Sequence, residues 1–288
     1  MDVFAHLLVR READVLFVTL NHPETRNALL PETVAELARA LALAERDDDL
    51  RALVLRGAGG FFCAGGNIGS FQERLAAPLQ ADSVADDPLA ARNREFGHFM
   101  QRLATLPLPV LAAVEGAAMG GGMGLACAAD LVLATREAKF ALSETSLGIL
   151  PAQIAPFVVD RVGRRVATRL GLTGERVSGE DAVRLGLVDE LATHDAALDA
   201  LVALWLNRIG ACAPHANRAL KPLLRACGTR PADAVLDEAA LAFARCMRDE
   251  GGEGVAAFRD KRPAAWKRSY GADLVRAATS AEAGDARA

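Results

Sequence analysis

The sequence predicts an α/β protein with parallel strand pairing, followed by a helical region. Three observations carry this expectation. Short apolar runs alternate with amphipathic helical stretches as far as Val188. Glycine-rich turns stand at the ends of apolar runs, at 65–66 and at 120–124. Beyond Val188 strand patterning fades and helix-period segments take over. The chain of 288 residues therefore divides into a core at 1–200, a helical region at 201–276 and a small polar tail at 277–288, expected to be disordered.

In chain order, the run DVLFVTLN (14–21) is rich in strand formers and ends in the turn chemistry of HPETRN. Residues 30–49 read as a helix, with Pro31 in the first turn and Val34, Leu37, Leu41 and Ala44 on one face. The next run, LRALVLRGAGG, is short and apolar enough to be buried on both faces. FFCAGGNIGSF then breaks it at glycines, and the polar stretch 74–93, with two prolines, reads as a surface loop. A helix follows at 93–106, with Phe96, Phe99, Met100 and Leu103 on its apolar side. PLPVLAAVEG is a third strand, and DLVLATREAKFAL a fourth strand region after the glycine cluster. Residues 195–209, 215–227 and 231–249 are helical.

Composition narrows the function. Formal net charge is −4 and no basic stripe with interleaved aromatics occurs, which argues against a nucleic-acid partner. The five cysteines form no C-x-x-C pair and have no histidines at zinc spacing, so no metal site is expected and single thiols in a reducing compartment are. The N-terminal MDVFAHLLVRRE lacks a signal-peptide apolar block, and no run is long enough to span a bilayer. A cytoplasmic protein without a membrane partner is expected.

The glycines point to chemistry. FFCAGGNI and AAMGGGMG each follow an apolar strand and place glycine where backbone N–H groups can face outward. The second also opens a helix, whose first turn has unpaired donors and a partial positive charge. One amide from each turn, converging on a single carbonyl oxygen, would form an oxyanion hole. Two rival readings stay open. Gly122 and Gly124 supply the G-x-G of a dinucleotide-binding loop, with Glu144 twenty residues past Gly124, but the third glycine position is Cys127. Tight helix–strand packing without any ligand is the other.

Five separated segments, in order, resemble the crotonase superfamily, the enoyl-CoA hydratase/isomerase family. They are NHPETRNAL (21–29), FFCAGGNI, EGAAMGGGMGLACAAD, AKFALSETSLGILP and AFRDKRPAAW (257–266), and the resemblance spans about residues 14–266. It implies a spiral of ββα repeats with a helical C-terminal trimerisation region, and a homotrimer or homohexamer. It implies an acyl-CoA thioester substrate whose carbonyl accepts hydrogen bonds from the Gly66 and Gly121 N–H groups. It places Ala28, Ala64, Asn67 and Ile68 along the CoA channel and Arg26 near the CoA phosphates. No cofactor is implied, because CoA enters as part of the substrate.

The chain departs from the family pattern in one telling place. Many hydratases of the family use two glutamates; here the first position is Gly124 and the second is Glu144. Asn67 also stands where aspartate is frequent. A lone carboxylate beside a stabilised enolate can still move a proton as general acid or base, and partial burial would raise its pKa toward that task. The pattern is closest to bacterial single-glutamate hydratases of branched glutaconyl-type thioesters, which share the run seen here as LGILPAQIAPFVV. An enoyl-CoA hydratase-type lyase is expected, with Glu144 as the proton-transfer residue. A Δ3,Δ2-enoyl-CoA isomerase and a thioester hydrolase are the alternatives. Asp130 is expected as a structural cap, His98 as a packed or solvated histidine, Cys63 as a thiol without a basic partner, and Gln153 as a side chain able to reach the acyl pocket.

Overall fold

The computed structural model describes residues 3–66, 83–84 and 86–280, apart from the side chains at 195 and 196. Its centre is a six-stranded sheet. In spatial order it holds β1 (Leu7–Glu12), β2 (Val15–Leu20), β3 (Ala52–Gly57), β4 (Val110–Val114), β6 (Leu131–Thr135) and β9 (Glu190–Ala192). The β1–β2 pair is an antiparallel hairpin turning at Ala13, and every later pair is parallel. A second sheet holds β5 (Ala117–Met119), β7 (Lys139–Ala141) and β8 (Val177–Ser178).

The helices are α1 (Pro31–Arg46), α2 (Pro88–Thr105), α3 (Gly121–Ala128), α4 (Ala155–Thr173) and α5 (Gly179–Arg184). They are followed by α6 (Asp195–Gly210), α7 (Pro214–Ala226), α8 (Ala232–Cys246), α9 (Gly252–Arg259) and α10 (Ala272–Thr279).

The inner strands β2, β3, β4 and β6 are mostly apolar because both faces of the sheet are covered there. Along β2, Leu16, Val18 and Leu20 join a core shared with Leu37 and Leu41 of α1 and Met100 and Leu103 of α2. Val15 and Phe17 point the other way, onto Leu198, Val202 and Leu206 of α6 and Val275 and Ala278 of α10. Burying a side chain such as Phe17 contributes about 1.5–3 kcal/mol, so the alternation fixes the register.

A strand in the main sheet, a short strand in the second sheet and a helix form one repeat. It is complete in β4–β5–α3, where the chain turns at Gly116. In the preceding repeat the second strand shrinks to a single residue. Cys63 forms an isolated parallel bridge with Ala118 of β5, donating its N–H to Ala117 O (3.0 Å) and accepting from the Met119 N–H (2.9 Å). That bridge sets the first glycine turn beside the second.

Several local expectations are corrected. The helix expected from residue 93 starts at Pro88, because the Asp87 carboxylate caps it by accepting from the Leu89 and Ala90 amides. Residues 88–93 of the expected loop are thus helical, and 67–82 lie outside the described residues. The fourth strand region is two strands in different sheets, β6 and β7, divided by a turn in which the Ala138 N–H reaches Thr135 O. β1 and β9 were not expected, and β9 pairs with β6 past the point where strand patterning fades. Residue 200, the expected core boundary, falls within α6. Residues 277–279 of the expected tail are the end of α10, because Val275 and Ala278 are buried against the sheet, and 281–288 lie outside the described residues. Cys63 and Cys127 are buried thiols, whereas Cys212 and Cys227 are exposed.

Candidate active site

The two glycine turns meet as the sequence suggests. A Cβ on Gly121 would stand 3.9 Å from the Gly66 nitrogen, and one on Gly65 would stand 3.5 Å from the Gly121 nitrogen. Both amides therefore border one space that side chains would fill. Among the described residues neither the Gly66 nor the Gly121 N–H has an acceptor. Gly121 is the first residue of α3, so its N–H lies at the positive end of that helix. Gly65 has φ +90°, and a Cβ there would lie 2.6 Å from Met119 O, so both conformation and space require glycine.

The first turn is held from behind by the 21–29 segment. Ala64 donates its N–H to Arg26 O (2.9 Å), and Leu29 donates to Gly65 O (2.7 Å). The segment owes its shape to Asn27, a buried residue in the left-handed region (φ 56°). Its Oδ1 accepts from the His22 N–H (2.9 Å), and its Nδ2 donates to Ala58 O (2.9 Å) and Phe61 O (2.6 Å). Asn27 was missed in the sequence. Its signal was an asparagine in turn chemistry just before the apolar pair Ala28–Leu29.

Glu144 opens a 3₁₀ turn, residues Glu144–Leu147, which β7 reaches through Leu142 and Ser143. Its carboxylate lies over the second glycine turn: a Cβ on Gly120 would stand 2.7 Å from Glu144 Oε1. Gly120 has φ +47° and donates its N–H to Ala141 O (2.9 Å), which ties the turn to the strand that delivers Glu144. Glu144 Oε2 is buried and has no hydrogen-bond partner. Burial pushes its carboxyl above the ordinary value, opposed by its own backbone N–H.

Leu29 and Phe96 supply the apolar wall. A Cβ at Gly121 would lie 2.9 Å from Leu29 Cδ1 and 3.9 Å from Phe96 Cζ. At Gly124, where a second carboxylate would project, the space belongs to Ile154. A Cβ there would lie 2.3 Å from Ile154 Cγ2 and 2.7 Å from Ile154 Cβ, and Ile154 is only 3% exposed.

The remaining candidates are spread over several elements. Ala28 is buried, and Ala64 is half-buried beside the exposed Arg26, whose guanidinium stands 5.4 Å over the Phe61 ring. Asn67 and Ile68 lie outside the described residues. Asp130 accepts from the Val110 N–H (2.8 Å) and from Lys221 Nζ (2.6 Å), tying α7 to the sheet. His98 is exposed, and Cys63 is buried with its thiol pushed up to about 12, which leaves no thiolate nucleophile. Gln153 donates to Asn93 Oδ1 of α2 (3.0 Å). Among the described residues no group of three or more His, Cys, Asp or Glu side chains could hold a metal, and no helix is long and apolar enough to cross a membrane.

Comparison with known proteins shows the family. The model of the enoyl-CoA hydratase/isomerase family matches residues 10–269. A 2,3-dehydroadipyl-CoA hydratase of Escherichia coli is 31% identical over 261 residues, covering 90% of this chain and 97% of the relative. A 1,2-epoxyphenylacetyl-CoA isomerase of the same organism is 37% identical over 194 residues, covering 67% and 72%. The crystal structure of an enoyl-CoA hydratase/isomerase from Marinobacter aquaeolei superposes with a TM-score of 0.85 at 42% identity, covering 91% of this chain and 99% of that one.

Proposed function

Because the chain belongs to the enoyl-CoA hydratase/isomerase family of enzymes, we propose that it adds water across the double bond of a 2-enoyl-CoA thioester, with Glu144 as its proton-transfer group. The observation that carries this reading is the placement of one buried carboxylate oxygen over a turn whose neighbouring amides are Gly66 and Gly121, none of the three having a partner among the described residues. Those amides take the thioester oxygen. The water oxygen bonds to Cβ as its proton passes to Glu144, the C=C electron pair moves into an enolate held by the amides, and Glu144 returns the proton to Cα. Nothing in this sequence of steps needs a metal or redox cofactor; CoA arrives with the substrate.

Arg26, Ala28 and Ala64, with Asn67 and Ile68, are proposed to line the CoA end. The acyl group is proposed to be branched or to carry a second carboxylate, and the dehydroadipyl thioester named for one relative is of the second kind. A homotrimer or homohexamer in the cytoplasm completes the proposal. Its support is the run of exposed apolar side chains on the C-terminal helices, among them Leu224, Leu236, Phe243 and Phe258.

The second reading is a Δ3,Δ2-enoyl-CoA isomerase. Ile154 favours it, because a site with one carboxylate suffices to shuttle a proton between carbons. Turnover of 3-methylglutaconyl-CoA, crotonyl-CoA and 3-hexenoyl-CoA by wild type and Glu144→Gln separates the two. Hydration of a 2-enoyl substrate that drops by about 10²–10⁴-fold in the variant supports the proposal. Reaction of the 3-enoyl substrate alone replaces the hydratase by the isomerase, and rates unaffected by the substitution remove Glu144 from the chemistry.

A further inference from the structure

Half-buried arginines in this protein have partners. Arg56 pairs with Glu115 and Asp199, Arg102 with Glu45, and Arg161 with Asp189, while Arg218 donates to the carbonyls of Asp47 and Leu50. Arg94 differs. It is half-buried on α2 and has no hydrogen-bond or ion-pair partner among the described residues. A guanidinium removed from part of its water without a compensating anion is unfavourable, so such a group stands ready for an anion.

Its surroundings say where that anion would come from. Arg94 and Gln153 stand together over Gly97: a Cβ there would lie 2.7 Å from Arg94 Nη1 and 1.9 Å from Gln153 Oε1. The absent side chain is what lets the two approach. Gln153 is fixed by its bond to Asn93 and directly precedes Ile154, the residue beside Gly124. Phe96, next to Gly97, reaches toward the Gly121 amide. The pair thus stands between α2 and the start of α4, close in sequence to Phe96 and Ile154, the two residues that these segments bring to Gly121 and Gly124. Arg26, by contrast, stands over Phe61 on the side of the first glycine turn.

From this placement we infer that Arg94, beside Gln153 over Gly97, is a specificity residue that binds a carboxylate at the far end of the acyl chain. The inference rests on the acyl-CoA reading above and names its substrate class: thioesters of dicarboxylic acids. Arginine suits the task because its planar fork meets a carboxylate through two parallel hydrogen bonds.

The test compares two unreactive thioesters that differ in that group, glutaryl-CoA and butyryl-CoA, by titration calorimetry on the full chain. Wild type is expected to bind glutaryl-CoA about tenfold tighter, the worth of one charge-assisted hydrogen-bonded pair. The preference should narrow between about 50 and 300 mM salt. Arg94→Gln should erase most of it and Arg94→Lys should keep part. Equal affinities in wild type, or a preference that survives Arg94→Gln, overturns the assignment. Should Arg94→Gln fail to fold, the wild-type salt series and Arg94→Lys decide alone: a salt-insensitive preference overturns it. Failure to bind either thioester overturns the acyl-CoA function itself, whereas tight butyryl-CoA binding without a glutaryl preference leaves that function standing and removes only Arg94.

Discussion

The contact between Gly124 and Ile154 can be tested as a pair. In Gly124→Ala the new methyl would meet Ile154 Cγ2 at 2.3 Å, far inside the 3.4 Å at which ordinary contact begins. Ile154 has little room to yield: it is the residue before α4, and Val158, one turn on, is fully buried. Overpacking of this kind costs about 1–3 kcal/mol, and replacing a helical glycine by alanine returns about 1 kcal/mol. The single variant is therefore expected to lose about 0–2 kcal/mol. Ile154→Ala alone should lose about 2–5 kcal/mol through the cavity it opens. Together the two relieve each other, since the alanine methyl at 124 enters space vacated at 154. The double variant is expected to be more stable than the sum of the singles by about 1–3 kcal/mol. Urea unfolding of the four proteins at one protein concentration measures the coupling. Additivity within about 0.5 kcal/mol would show that the two residues do not share that space, and the account of the missing second carboxylate would go with it.

The burial of Glu144 links stability to pH. Burial holds its carboxyl above the ordinary 4.5, so between that value and the raised one the folded chain keeps a proton that the unfolded chain has released. The stability it contributes is present below pH 4.5 and declines as pH climbs through the raised value, so the melting temperature of Glu144→Gln relative to wild type should increase from pH 5 to pH 8; a constant difference contradicts the burial argument. Gly122→Ala would set a Cβ 2.5 Å from Cys63 O, the acceptor that couples the two glycine turns. Its kcat should fall by about 10²–10³-fold, as for loss of an oxyanion donor, and steady-state rates comparable to wild type would show that the turns need no such spacing. Asn27→Ala removes three hydrogen bonds from a buried, left-handed position and is expected to lower stability by about 2–4 kcal/mol. A urea midpoint unchanged from wild type would count against its role as organiser of the first turn.

The parts of the fold legible in sequence are those where both sheet faces are buried. β2, β3 and β4 are mostly apolar runs, broken only by Thr19 and Arg56 before the closing Gly57, and α1 carries its core face at helical spacing behind Pro31. Short pieces were not legible. β9 spans only Glu190–Ala192 and is a strand because β6 offers it a free edge, which no local pattern records. The early start of α2 hinged on one side chain, Asp87, whose cap outweighs the loop-like composition before Pro88. At both places a tertiary partner or a single cap decided what periodicity left undetermined.

The site divides in the same way. Glycines that admit backbone amides announce themselves, because no other residue type fits Gly65 at φ +90°. The glycine at 124 is of another kind. In sequence it marks only the lack of a carboxylate; in space it is one half of a contact whose other half, Ile154, lies thirty residues away on a different element. Gly97 is likewise silent alone and informative once Arg94 and Gln153 are seen above it. A small residue thus has two meanings, room for a ligand or room for a neighbour, and only the identity of what stands opposite separates them. At Gly124 the second meaning applies, because Ile154 stands opposite. Under the proposed function the first applies around Gly66 and Gly121, and Glu144 is then the one carboxylate left for the proton transfer.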